Sequence, residues 1–168
     1  TEEKDQHLAG LGLNNLIVVS TKDAVLVVDK TKVQEVKKLL NKLKEKKVFQ
    51  AENSFKDYRP WGWFELLFTE TNYQVKRLVI KPKEYLSLQS HKFRSEHWVV
   101  VSGTAIVTLE DDLKTIKQGE SIYIPLGKKH RIENKTDVYL VIIEVQTGSY
   151  LGEDDIIRYD DKYSRGNK

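Results

Sequence analysis

The chain has 168 residues, a length that suits one domain with a small appendage. Hydrophobic residues make up 39% and charged residues 32%. The net charge of +3 comes from interspersed Lys, Asp and Glu rather than one basic face, which argues for a globular protein and against a nucleic-acid partner. The absence of cysteine excludes disulfides, thiolate metal sites and a cysteine nucleophile, and it fits a cytoplasmic protein. No apolar run approaches the ~20 residues of a membrane span, and the polar start Thr1-Glu2-Glu3-Lys4-Asp5 is not a signal peptide, so no membrane partner is expected. The chain opens on Thr1 and contains no methionine, which points to a piece of a longer protein.

The β-branched runs Leu16–Val19 and Val25–Val28 flank Ser20-Thr21-Lys22-Asp23, which supplies turn chemistry, so a β-hairpin is predicted. Thr31-Lys32-Val33-Gln34 has the form of a capping box. Val33, Val36, Leu40 and Leu43 then follow at helical spacing, which predicts a helix over 32–46 with its lysines on a solvated face. Residues 48–57 read as a linker. Arg59-Pro60-Trp61-Gly62-Trp63 reads as a rigid turn whose two tryptophans serve packing rather than sugar stacking. Short strands are predicted from there on: 75–80, 85–89, 96–101, 104–109, 121–124, 131–134 and 139–145. Gly103, Asp111-Asp112, Gly119 and Gly127 punctuate them, a pattern that means a sandwich or barrel. The tail from Tyr150 is acidic, then basic.

Four polar residues fall among these strands: Gln89, His91, Glu96 and His130. Gln89 and His91 are two apart and share a strand face. Glu96 opens the next strand after the turn Lys92–Ser95, and His130 follows Pro125 and Gly127 at the start of a later one. An antiparallel barrel can gather all four at its mouth. Two imidazole nitrogens and two oxygens then form a nest for one divalent metal ion, zinc or another first-row ion.

The spacing resembles the two cupin motifs. Gly119, Pro125, Gly127, His130 and Asn134 match every position of the second. His91, Glu96 and Gly103 match the first, in which Lys83 replaces a glycine and Gln89 a histidine. The stretch from Leu86 to Ala105, the ending Glu144–Tyr159 and Arg59-Pro60-Trp61-Gly62 are similar to type II phosphomannose isomerases. Many relatives carry a histidine where Phe93 stands. In that family the isomerase follows a mannose-1-phosphate guanylyltransferase, and residues 11–46 are similar to the end of that first domain.

The resemblance implies a mainly β fold: a cupin barrel (double-stranded β-helix, jelly-roll) with a small N-terminal hairpin plus helix. It implies residues 1–47 as the end of the guanylyltransferase domain, 48–57 as linker and 58–168 as the isomerase domain. The implied activity interconverts mannose 6-phosphate and fructose 6-phosphate and supplies GDP-mannose for surface polysaccharide. Guanylyltransferase activity is expected only in the full-length parent, because this chain lacks the Gly-rich nucleotide signature. A non-catalytic sugar-phosphate-binding cupin and a different metal cupin enzyme are the alternatives.

Moving a proton between C1 and C2 of an open-chain sugar needs charge on the developing oxyanion, a base, and a cation for the phosphate. Arg94, in the turn between His91 and Glu96, is the first candidate for the charge. Arg158 is a second, if the tail folds back as a lid. Ser87, on the face of Gln89, and Lys76, Lys128 and Lys129 are candidates for the sugar phosphate. Strand alternation turns His97 away from Glu96, and no base is assigned. A homodimer is expected through the N-terminal hairpin, since exposed strand edges pair readily.

Overall fold

In a computed structural model that describes residues 7–52 and 55–162, the chain divides into two units, Thr1–Phe55 and Lys56–Lys168. In the first, β1 (Leu16–Ser20) pairs antiparallel with β2 (Val25–Asp29), as the two valine-rich runs predict. Thr21 N donates to Ala24 O at 2.9 Å and closes the turn. The predicted helix begins differently. Asp29 is the cap: its carboxylate accepts from Thr31 N at 2.7 Å and opens a 3-10 helix, Lys30–Glu35, which runs into α1 (Val36–Glu45). A short carboxylate reaches the amide two residues on, and Thr31 donates its own hydroxyl to the same oxygen at 2.6 Å, so it does not cap the helix itself. Val36 and Leu43 are half-buried while Val33 and Leu40 are exposed. A four-residue helix, α2 (Phe49–Glu52), stands within the stretch read as linker.

Among its described residues, the regular structure of the second unit is strand but for one turn of 3-10 helix. β3 (Lys56–Arg59) and β4 (Gly62–Thr69) form a hairpin about Pro60-Trp61, with Arg59 opposite Gly62. A Cβ on Gly62 would lie 2.0 Å from Val79 O, so β4 can approach β5 (Tyr73–Ile80) only with glycine there. There follow β6 (Leu88–His91), β7 (Arg94–Ser102), β8 (Thr104–Leu109), β9 (Asp112–Lys117), β10 (Ser121–Ile124), β11 (His130–Glu133), β12 (Leu140–Gly148) and β13 (Ile156–Asp160). They make a six-stranded sheet, β10-β7-β12-β5-β4-β3, and a five-stranded one, β13-β6-β11-β8-β9. All the pairings are antiparallel, and most neighbours in the five-stranded sheet are far apart in sequence, the crossing pattern of a jelly roll.

Period-2 alternation divides the barrel into a dry end and a wet end. Along β12 the inward residues are Leu140, Ile142, Glu144 and Gln146. Along β7 they run in the other direction, from Arg94 and Glu96 through Trp98 to Val100. At the dry end these side chains join Ile80, Ala105, Val107, Ile122, Ile124 and Ile132 in one buried cluster. Each large apolar side chain buried there contributes about 1.5–3 kcal/mol. At the wet end the inward positions are polar, and the site lies there.

The predicted strands at 104–109 and 121–124 fall where expected. The one read as 85–89 does not: Tyr85 makes an isolated bridge to Glu133, and β6 proper begins at Leu88. β3, β4, β9 and β13 lie outside the strands that the sequence predicts.

Candidate metal centre

β6 ends on His91, and the corner Lys92-Phe93 carries the chain from one sheet to the other, where β7 starts at Arg94. Arg94 is thus the first residue of a strand and buried, not part of a turn. The corner is held from the tail: the Asp155 carboxylate accepts from Lys92 N at 3.0 Å and Phe93 N at 3.2 Å. His130 opens β11 directly across from Gln89. The turn before it is tied to the site by Gly127 N, which donates to His91 O at 2.9 Å.

These placements bring His91, Glu96 and His130 together, fully buried, with their ligating atoms within 4.8 Å of one another. His91 Nε2 is 3.0 Å from Glu96 Oε1, and His130 Nε2 is 3.6 Å from Glu96 Oε2. Each imidazole is oriented by its other nitrogen. His130 Nδ1 lies 2.8 Å from Lys128 O, and His91 Nδ1 lies 3.4 Å from Asp155 O. A carbonyl only accepts, so His130 Nδ1 carries the proton and its Nε2 presents a lone pair inward, while His91 Nε2 faces the same centre against Glu96. Neither buried Nε2 has a hydrogen-bond partner. Two inward imidazole nitrogens beside a buried carboxylate, with each ring held from behind, fit a divalent cation.

The electrostatics agree with that donor set. Burial would raise the Glu96 carboxyl, but contact with His91 and electrostatic interaction with the two imidazoles and Arg94 outweigh it and hold Glu96 well below its usual range. Burial, partly offset by Glu96, lowers His130 and keeps it neutral. Glu144 behaves in the opposite way: burial first, then the Glu96 charge, push its carboxyl well above the usual range. The two carboxylates share one donor, Trp98 Nε1, 3.0 Å from each. Gln146 Nε2 also serves both, at 2.8 Å to Glu96 and 2.9 Å to Glu144.

A cavity of about 520 Å³, counting its open mouth, extends from this centre. Of the residues singled out from sequence, Gln89, Glu96, Arg94, Arg158, Ser87 and Lys76 line it. Gln89 Oε1 accepts from Ser87 Oγ at 3.0 Å, and Arg158 stands opposite Gln89 across β13 and β6. Arg94 donates from Nη1 to Gly152 O at 2.7 Å, and its Nε lies 3.5 Å from Glu96. Lys129 is not brought to the cavity: it is exposed, with its ammonium 4.5 Å from the Tyr159 ring centroid. Lys128 is exposed as well. His97 faces outward, 3.2 Å from Ser121 Oγ.

Sequence reading missed Arg59, Glu144, Gln146 and Glu153, which also line the cavity, and Asp155 behind it. A signal for two of them was present. Glu144 and Gln146 continue the inward alternation of Leu140 and Ile142, and a polar pair on a core-facing register marks a site.

A two-sheet barrel holding two imidazoles and a carboxylate at its open end defines a cupin. The family model for the mannose-6-phosphate isomerase C-terminal domain matches residues 44–161, and that for the MannoseP isomerase/GMP-like beta-helix domain matches residues 2–43. The chain therefore belongs to the mannose-6-phosphate isomerase C-terminal family. It is 48% identical over 155 residues to the mannose-1-phosphate guanylyltransferase of Escherichia coli K12, covering 92% of this chain and 32% of that protein. It is 48% identical to the xanthan biosynthesis protein XanB of Xanthomonas campestris, covering 94% and 34%, and 46% identical to the alginate biosynthesis protein AlgA of Pseudomonas syringae, covering 94% and 32%. The chain thus spans about a third of the length of these relatives. Among solved structures, Bacillus subtilis oxalate decarboxylase is similar with a TM-score of 0.57 at 18% identity over 64% of this chain and 31% of that one. The Cnp3 cupin domain of Schizosaccharomyces pombe gives 0.50 at 15% identity over 51% and 64%. At these identities the likeness shows the fold, and the mainly β cupin expectation is borne out.

Proposed function

We propose that this chain interconverts mannose 6-phosphate and fructose 6-phosphate with the help of one divalent metal ion. The observation that carries the reading is the junction of the His91–Glu96–His130 cluster with a cavity whose walls bear Arg59, Lys76, Arg94 and Arg158. One end suits a sugar carbonyl and hydroxyl, the other an anion. Family membership supplies the substrate.

His91, Glu96, His130 and the amide oxygen of Gln89 would hold the ion. When bound, it supplies positive charge that polarises the sugar carbonyl and favours the developing oxyanion. Arg94 adds fixed charge from a buried position, held in place by Gly152 O and Glu96. Arg158 and Ser87 line the wall beside Gln89 and position sugar oxygens. Of the two cavity carboxyl groups outside the metal set, Glu144 and Glu153, Glu144 shares its donors with Glu96, and that place in the wall suits it to carry the proton between C1 and C2. Trp98 and Gln146 fix its orientation.

In the full-length parent this activity would feed a guanylyltransferase that makes GDP-mannose for surface polysaccharide. A phosphorylated sugar as substrate places the work in the cytoplasm. A homodimer through the β1–β2 hairpin is part of the proposal, and a monomeric mass by light scattering would remove it. The test of function is a coupled assay for fructose 6-phosphate after addition of mannose 6-phosphate. Steady turnover is expected. Binding of the sugar phosphate without turnover would replace the isomerase with a binding module.

A further inference from the structure

Lys76 is an unusual residue for the inner face of a barrel. It sits mid-strand on β5 with its side chain 7% exposed, and a cation so buried requires an anion beside it. Glu144 stands opposite it across β12 and β5, and the anion that touches Lys76 comes from the tail: Glu153 Oε1 lies 2.5 Å from the ammonium. Glu153 itself is 48% exposed at the cavity mouth. Arg59, ion-paired with Asp57 at 2.5 Å, completes the arrangement from the β3–β4 hairpin. Its guanidinium is 5.6 Å from the Phe64 ring centroid, and the Lys76 ammonium is 5.0 Å from the same centroid.

The electrostatics mark the same spot. Burial would raise the Glu153 carboxyl, but Lys76, Arg94 and Arg59 outweigh it and hold Glu153 below the usual carboxylate range. A half-exposed carboxylate in contact with Lys76, and within the field of Arg94 and Arg59, therefore occupies a place suited to an anion. The tail on either side is fastened independently. Leu151 O accepts from Gln74 at 3.2 Å, Gly152 O accepts from Arg94, and Asp155 holds the Lys92-Phe93 corner. The Glu153 side chain can leave without unfastening the segment that carries it.

We propose that Lys76 and Arg59 form the seat for the phosphate group of the substrate, and that Glu153 is an exchangeable counter-ion which the phosphate displaces. The inference rests on the sugar-phosphate reading above and names the end of the cavity that reads the phosphate. Glu153 keeps a buried ammonium paired between turnovers, and in doing so it competes with the substrate. A neutral sugar has no charge with which to displace it, so the exchange also discriminates against unphosphorylated mannose.

The test is calorimetric titration of inorganic phosphate into the wild-type chain and the variants Glu153→Gln, Lys76→Gln and Arg59→Gln, all in one fixed metal state. Glu153→Gln removes the competing charge, and phosphate should bind roughly tenfold more tightly. Lys76→Gln and Arg59→Gln should each weaken it by a similar factor. Phosphate binding to Glu153→Gln within about twofold of wild type, or weaker, overturns the proposal. So does binding to Lys76→Gln within about twofold of wild type. Should the Lys76 variant not fold, the half-exposed Glu153 variant decides alone. Tighter phosphate binding without any fructose 6-phosphate formation would uphold the seat and overturn the isomerase. Turnover with phosphate affinity indifferent to both residues would do the reverse.

Discussion

The indole of Trp98 donates to Glu96 Oε2 at 3.0 Å, and through the same Nε1–H it reaches Glu144. One donor thus aligns both the central carboxylate of the cluster and the neighbour that it perturbs. Trp98→Phe keeps an aromatic ring in the core but deletes this donor. We expect a stability loss of about 3 kcal/mol from lost ring volume and the stranded acceptors. Metal affinity should fall by roughly 10–100-fold, because an orienting partner is lost. Thermal melts and competitive metal titration measure the two effects separately.

Glu144 gives a pH signature. Its carboxyl is raised from the ordinary 4.5, so the folded chain keeps a proton that the unfolded chain has released. The contribution is fully present below that ordinary value and is lost as the pH rises toward the folded one. Glu144→Gln has no such loss. The metal-free variant should therefore melt higher than the metal-free wild type at about pH 8, with the gap closing toward about pH 5. Under the proposed role, kcat should fall by roughly 100-fold or more in the same variant. A gap that widens on acidification contradicts the assignment.

Asp155 acts at a distance from the cavity. Its two oxygens accept from Lys92 N and Phe93 N, which fixes the corner between His91 and Arg94. Asp155→Ala strands two backbone donors and should cost about 2–4 kcal/mol. Amide hydrogen exchange at Lys92 and Phe93 should accelerate with it. Unchanged exchange at those amides would show that the tail does not hold the corner.

How much of this was legible in sequence depends on whether a residue's role is local. The His91–Glu96 spacing and the Gly127-to-His130 turn are short-range, so the cluster could be read directly. β12 could be read from its alternation. Lys129 was misplaced because its neighbour His130 faces in while it faces out, and a run of adjacent polar residues does not show which way each points. Arg59, Glu153 and Asp155 reach the site through the β3–β4 hairpin and the returning tail, contacts set by long-range pairing. Pro60-Trp61 form the turn that the sequence predicts, but nothing local shows that Arg59 lines the cavity.

Gly148 tests the junction of β12 and β7. A Cβ there would lie 2.1 Å from Phe93 O and 2.7 Å from Arg94 Cα. Gly148→Ala must push the start of β7 away, carrying Arg94 with it. A loss of about 2–3 kcal/mol is expected, together with reduced turnover. Retention of full stability would mean that the strands have more slack than their spacing shows.

The most direct test of the account is isomerase activity as a function of bound metal. The chain is stripped with a chelator, assayed for conversion of mannose 6-phosphate to fructose 6-phosphate, then reloaded with a divalent ion and assayed again, with His130→Ala alongside. Activity is expected to disappear on stripping, to return on reloading, and not to return in His130→Ala. Full activity in the stripped chain, with bound metal shown to be absent, would contradict that dependence on metal.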